Sequence, residues 1–314
     1  MRLSRLPLTS LSLAVLMALT GCGGGGSSAP APTGPTVQNI TATTTLAYYH
    51  YGYFTVTGTG LSVAGITLSD STGKCQSAAL RTGVISTDTT LAFQCALYGS
   101  GTISLDIKDS TGAVLGTQTF NVPDPKVRIA TSQGTMDVLL NPTAAPATVQ
   151  NFMRYVTYTD ASNPTGYYSN TIFHRVMKNF MIQGGGFTSG FVQKGTFAAI
   201  ALESNNGLKN LRGTIAMARQ AAPDTATSQF FINHATNTNL DYTATNTSPN
   251  GYTVFGTIVA GDTASFATLD AIASVQVSIP PSQTTTGLCG GTTSQPQASC
   301  PTTDVTITSI TQIQ

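Results

Sequence analysis

The sequence predicts a mainly β chain in which a small β-sandwich precedes a closed antiparallel barrel covered at its ends by two helices. Three observations predict it. Short apolar runs recur through residues 36–123 with almost no helical periodicity among them. Residues 126–314 carry two helical patterns set against strands and loops. The 31 Gly and the many Thr and Ser suit strands and turns better than helices. The length of 314 residues agrees with two domains at roughly 150 residues each. Charged residues make up 9% of the chain, and 14 Lys+Arg against 13 Asp+Glu leave a net charge of +1. A polyanion binder needs a basic excess, so nucleic acid is excluded as a partner. The 40% hydrophobic content excludes global disorder.

The chain opens on a targeting segment. Arg2 and Arg5 precede an apolar run, Leu11 to Leu19, too short to span a membrane. The run ends in Leu19-Thr20-Gly21-Cys22, which resembles a bacterial lipobox, where cleavage precedes a lipidated Cys. Residues 1–21 therefore read as a lipoprotein signal peptide and Cys22 as the lipid-bearing residue, with the membrane as a partner through that anchor. Gly23 replaces the Asp that commonly marks inner-membrane retention in lipoproteins, so the expected location is the bacterial envelope, on the outer membrane facing the periplasm. Residues 22–35, with four consecutive Gly, read as a flexible tether. Of five Cys, four remain once Cys22 is lipidated. Three connectivities exist, and proximity in sequence favours the pairs Cys75–Cys95 and Cys289–Cys300.

In 36–123 the runs Tyr53–Thr57, Gly65–Leu68, Leu91–Cys95, Thr102–Ile107 and Thr117–Val122 read as short strands. Asp109-Ser110-Thr111-Gly112 reads as a hairpin turn after the fourth. Regular short strands suggest an immunoglobulin-like sandwich. No catalytic constellation lies here. His50 among Tyr48, Tyr49, Tyr51 and Tyr53 reads as edge-strand packing, with a sugar- or peptide-binding surface as the alternative. Pro123-Asp124-Pro125 reads as a linker.

In 126–314, Val127–Thr131 and Thr135–Leu140 flank Gly134 as a hairpin. Pro146 opens a helix with Val149, Phe152, Met153 and Val156 on one face. Asp262 caps a second, with Phe266, Leu269, Ile272 and Ala273 on one face. The chemistry concentrates between them, in Ile172 to Gly185. Alternation places Phe173, Arg175 and Met177 on one strand face, followed by Phe180, Met181 and Gln183. Such a set makes an apolar pocket with one cation and one amide. Nothing resembles a nucleophile with its base, the three His lack metal-ligand spacing, and no cofactor is indicated. Gly184-Gly185-Gly186 precedes no helix, so a phosphate cradle is poorly supported.

Phe173-His174-Arg175, Phe180 to Gly185, Gly213 to Ala218, Ser228 to Ile232 and Asn206 to Arg212 resemble, in order and spacing, the signature blocks of cyclophilins, above all the bacterial periplasmic type. The likeness covers about 126–279 and less surely 304–313. It implies an eight-stranded barrel with two capping helices and peptidyl-prolyl cis-trans isomerase activity on proline-containing exported proteins. By resemblance, Arg175 takes the catalytic position, and Phe180, Met181, Phe231 and Leu240 take the proline pocket. Gln183 and Gln229 match substrate-orienting amides, Ala218 binds the residue before proline through its backbone with Arg219 beside it, and Tyr252 stands where many members have His. Asn239 stands where Trp or Phe is usual, which implies a more open pocket and weak cyclosporin-type inhibition. Residues 158–170 and 280–303 read as insertions, the second expected to loop out from the barrel with Cys289 and Cys300. A proline-binding chaperone module without turnover is the alternative function.

Overall fold

In a computed structural model, seven strands build the first part of the chain: β1 (Thr36–Ala42), β2 (Tyr51–Thr59), β3 (Thr67–Asp70), β4 (Cys75–Leu80), β5 (Thr90–Leu97), β6 (Gly101–Lys108) and β7 (Val114–Val122). They form a four-stranded sheet in the order β1-β2-β5-β4 and a three-stranded sheet β3-β6-β7. The structure describes residues 34–61, 65–161, 164–245, 250–279, 288–289 and 299–314. The signal peptide, Cys22 and the tether up to residue 33 lie outside these.

Period-2 burial drives the central strands. On β2, Phe54 and Val56 point inward, and on β6 Ile103, Leu105 and Ile107 do. The two edge strands β1 and β4 escaped the sequence reading because each hides a single residue, Ile40 and Cys75, and so shows no alternation. A disulfide joins Cys75 on β4 to Cys95 on β5. Asp109 turns the β6–β7 hairpin by accepting from the Thr111 and Ala113 amides at 2.8 and 3.0 Å. Gly112 takes the left-handed backbone (φ +86°) that this turn needs.

The second part contains β8 (Lys126–Thr131), β9 (Gly134–Leu140), α1 (Pro146–Thr157), β10 (Thr171–Ile172), β11 (Arg175–Met177), β12 (Met181–Gly184), β13 (Phe187–Thr188), β14 (Val192–Gln193), β15 (Thr214–Met217), β16 (Phe230–Asn233), β17 (Val254–Ile258), α2 (Thr263–Ala273), β18 (Val277–Ser278), β19 (Cys300–Pro301) and β20 (Thr306–Gln312). All but β18 and β19, which pair with each other, lie in one sheet ordered β11-β12-β16-β15-β17-β9-β8-β20-β10-β13-β14. The sheet closes on itself because β10 and β11 are halves of one kinked strand: β10 pairs with β20 and β11 with β12. β12 and β13 are likewise one strand broken at Gly185 and Gly186. Counted this way, the eleven strands become nine: eight ring the core, and the two-residue β14 pairs onto β13 outside the ring.

The kink corrects one expectation. Phe173 does not share a face with Arg175 and Met177. It is fully buried in the barrel core, and Val176 is buried there too, so the alternation slips at Phe173-His174. The helices form as the sequence predicts. α1 has Pro146 in its first turn and turns Val149, Phe152, Met153 and Val156 inward. The Glu203 carboxylate accepts from the Ala147 and Thr148 amides at 3.0 and 2.8 Å, satisfying two donors that a helix start leaves open. Asp262 caps α2 by accepting from the Ser265 amide at 3.0 Å. Leu269, Ile272 and Ala273 are buried, while Phe266 is half-buried beside the Arg212 guanidinium.

Residues 158–170 are more than an added loop. They deliver Tyr167 and Tyr168 to the core, where the Tyr168 hydroxyl donates to the Ser228 carbonyl at 2.9 Å. The tyrosine cluster of the sandwich divides. Tyr48 is fully buried and its carbonyl accepts from Gln312 Nε2 of β20 at 3.1 Å, Tyr49 faces Ala147 and Arg154 of α1 across a crevice, and Tyr51 is exposed.

Candidate active site

Strand alternation gives the barrel two apolar surfaces. Ile182, Ile215 and Ile232 point into the main core. Met181, Ala216 and Phe231, their immediate neighbours, point outward and with Val254 form a second cluster. Phe180, Ala218, Leu240 and Tyr252 pack against that cluster. Register then sets the polar groups beside it. Gln183 on β12 lies opposite Arg175 on β11 and opposite Phe231 on β16, so three strands present cation, amide and aromatic ring side by side.

Hydrogen bonds fix their order. Arg175 Nη1 donates to Gln183 Oε1 at 3.5 Å and Nη2 to Met177 Sδ at 3.2 Å. Gln183 Nε2 donates to Gln229 Oε1 at 3.0 Å. The run of glycines serves this relay and not a phosphate. A Cβ on Gly186 would stand 2.4 Å from Gln229 Cγ, so only glycine leaves that side chain its place.

A cavity of about 270 Å³ opens above the cluster. Arg175, Phe180, Met181, Gln183, Ala218, Arg219, Phe231, Leu240 and Tyr252 all line it. Gln229 does not; it lines an adjoining crevice shared with Gln183, Ala218 and Arg219. Asn239 is exposed on the 3-10 turn Thr238–Leu240 and does not line the cavity, while its neighbour Leu240 does. Two further residues complete the wall, His174 and Leu288. Leu288 corrects the expectation that 280–303 loops out from the barrel: its described residues lie against β11, and the Ser299 carbonyl accepts from the Val176 amide at 2.6 Å. The Cys289–Cys300 disulfide is formed.

The two arginines are placed for different work. Arg219 is committed to the protein: Nε donates to the Gly251 carbonyl at 3.0 Å, and Nη1 to the carbonyls of Gln220 and Ala221. Its guanidinium stacks 4.8 Å from the Tyr252 ring centre, and Tyr252 in turn meets Phe231 edge-on at 5.5 Å. Arg219 thereby braces the aromatic wall. Arg175 makes no salt bridge among the described residues. Burial pulls its pKa below the usual arginine value, and no carboxylate compensates. A charged, half-buried fork without an anion has donors to offer a ligand. His174 is fully buried and uncharged. Desolvation first, then the Arg175 charge, lowers its pKa to about 4.

A support network was not visible in the sequence. Asn237 Nδ2 donates to the Phe180 carbonyl at 2.8 Å and to Asn233 Oδ1 at 2.7 Å, and Asn233 Nδ2 donates to Thr214 Oγ1 at 2.9 Å. It holds the turn that presents Phe180. Scattered Asn residues carry no pattern, so only the folded chain reveals it.

The family model for the cyclophilin type peptidyl-prolyl cis-trans isomerase/CLD matches residues 126–310, more than half of the chain and starting where β8 starts. This chain belongs to the cyclophilin family. The cyclophilin is 47% identical over 135 residues to peptidyl-prolyl cis-trans isomerase A of Dickeya dadantii, covering 43% of this chain and 66% of the relative. It is 51% identical over 117 residues to peptidyl-prolyl cis-trans isomerase B of Escherichia coli, covering 37% of this chain and 67% of the relative. A solved cyclophilin type peptidyl-prolyl cis-trans isomerase of Cryptosporidium parvum aligns with a TM-score of 0.45 and 26% identity over 61% of this chain and 98% of that one. The matches to the curated relatives thus span about two thirds of their length, and the sandwich lies before the family match.

Proposed function

We propose that this cyclophilin is a peptidyl-prolyl cis-trans isomerase that acts on exported proteins from a lipid anchor at Cys22. The observation that carries the reading is the Arg175 guanidinium, without a carboxylate partner among the described residues, at the edge of the Phe231–Met181 cavity. Rotating an X-Pro amide out of plane costs its resonance, a barrier near ~18–20 kcal/mol, and takes tens to hundreds of seconds unaided, on the order of the slow phases of folding. No bond forms or breaks. The twisted state differs from either planar state in one respect: the prolyl nitrogen regains a localised lone pair. A donor aimed at that nitrogen binds the twisted state more strongly than the planar ones, which is what lowers a barrier.

Arg175 supplies the donors in a rigid fork that stays charged. Phe180, Met181 and Phe231 seat the ring and exclude water, and a drier site strengthens the guanidinium's pull. Gln183 steers the fork through Oε1 and is itself steered by Gln229. Ala218 offers backbone beside the pocket, in the place where the family resemblance sets the residue before proline. His174, neutral near pH 7, is a wall and transfers no proton. Location rests on the order Leu19-Thr20-Gly21-Cys22 and on disulfides that suit an oxidising compartment.

The test is catalysed isomerisation of an Ala-Pro peptide by a soluble form of the chain beginning at Ser27. Arg175→Ala should lower kcat/KM at least tenfold, a floor beneath the roughly hundred- to thousandfold typical for removal of one transition-state donor, with the circular dichroism spectrum unchanged. Absence of catalysis in the folded wild type would replace the enzyme reading by a proline-binding module.

A further inference from the structure

We infer that Leu288, fixed by the Cys289–Cys300 disulfide, is the specificity-determining contact for the residue that follows proline, and that it selects an apolar side chain there. This rests on the reading of the cavity as an X-Pro site.

Among the described residues, Leu288 is the one cavity residue that belongs to the segment between α2 and β20. Its position is tied to the catalytic strand. β11 pairs with β12 along one edge, and along the other the Val176 amide donates to the Ser299 carbonyl at 2.6 Å. The Ser299 amide donates to the Cys289 carbonyl at 2.9 Å. Cys289 and Cys300 are joined and both fully buried, and β19, which begins at Cys300, pairs with β18. Leu288 is thus two short links from the residue next to Arg175.

Strand order gives the direction of the peptide. Across the site the sequence of strands is β11, β12, β16, β15. Ala218 continues β15 at one end, bonded through its amide to the Gln229 carbonyl at 3.0 Å. Leu288 lies at the other, on the side of β11 where Val176 bonds Ser299. A peptide that places the residue before proline at Ala218 and the ring over Phe231 carries its next residue towards Leu288. The groups waiting there are an isobutyl side chain and the buried, neutral His174 ring. The isobutyl group of Leu288 offers no polar atom, so an amide packed against it loses water without a partner.

The experiment measures kcat/KM of the mature chain on paired peptides that differ only after proline, Ala-Ala-Pro-Leu and Ala-Ala-Pro-Asn. The wild type should favour leucine about tenfold, the lower range for discrimination by an apolar pocket. Leu288→Asn should bring the ratio below about twofold, with the loss on KM for the leucine peptide. Cys289→Ser combined with Cys300→Ser keeps Leu288 but frees it, and should collapse the ratio in the same way. A general weakening of the fold would lower both peptides alike and leave the ratio intact. An equal rate on both peptides in the wild type, or an undiminished preference in Leu288→Asn, overturns the inference. If the wild type turns over neither peptide, the enzyme reading has failed and the same pair is compared by binding. A leucine preference that disappears in Leu288→Asn then still supports the contact, and equal binding removes it. Should the double Ser variant not fold, Leu288→Asn decides alone.

Discussion

Phe231 and Ile232 are consecutive residues of β16, 3% and 0% exposed, and they belong to different surfaces. Ile232 joins Ile182 and Ile215 in the core cluster of the barrel interior. Phe231 joins Met181, Ala216 and Val254 on the outside, beneath a cavity edged by Arg175. The contrast separates hydrophobic burial that holds the fold from hydrophobic burial kept ready for a ligand. Exposure alone does not distinguish them; an open volume and an unpaired cation do.

The largest effect that sharpens this contrast is on stability. Ile232→Ala should cost about 3–4 kcal/mol, the usual range for a large-to-small change in a close-packed core, read by urea unfolding. A loss below about 1 kcal/mol would mean the interior yields as easily as the outer cluster. Next comes His174, which sits in the wall but behaves as core. Its pKa is about 4 in the fold against an ordinary 6.5 for histidine. Between those values the unfolded chain binds a proton that the folded chain does not. Stability is therefore full above about pH 6.5 and falls by up to ~3 kcal/mol as pH drops towards 4. His234, also lowered by burial, adds to the slope in the same direction. His174→Gln should flatten it, and an unchanged slope in unfolding measured at stepped pH would assign the effect elsewhere.

Phe231→Ala tests the outer surface. It should lower kcat/KM about tenfold to hundredfold while costing less stability than Ile232→Ala, because water can enter the widened cavity. The reverse ranking would erase the distinction. The smallest effect belongs to Gln229→Ala, which touches Arg175 only through Gln183: about threefold in kcat/KM, or roughly 0.7 kcal/mol at 1.36 kcal/mol per tenfold. A loss as large as that of Arg175→Ala would place Gln229 on the substrate itself.

Much of the site was legible because it lies on regular strands. The residue blocks around Arg175 set Met181 and Phe231 in the pocket by resemblance, and strand alternation, which turns Ile182 and Ile232 the other way, agrees with that placement. Phe173 was misassigned because period-2 reading assumes an unbroken strand, and the kink that closes the barrel breaks it. β1 and β4 were missed because an edge strand needs to hide only one side. Leu288 left almost no trace. A lone Leu before a Cys has no periodicity, and its place follows from Ser299 meeting Val176, a contact between distant parts of the chain. The only available hint was Cys289, whose pairing with Cys300 shortens the loop that carries it.

The closing of the ring also sets a timetable. The sandwich has all seven strands once residue 122 is available. The barrel has none of its closure until β20 arrives, since Gln312 lies opposite Val127 of β8 and Ile307 opposite Thr171 of β10. Contacts so far apart in sequence form slowly. A chain that emerges from synthesis or translocation N-terminus first therefore finishes the sandwich early and holds the barrel with open edges until β20 appears. Arg175, whose strand is the seam of the ring, meets its completed surroundings only at that last step.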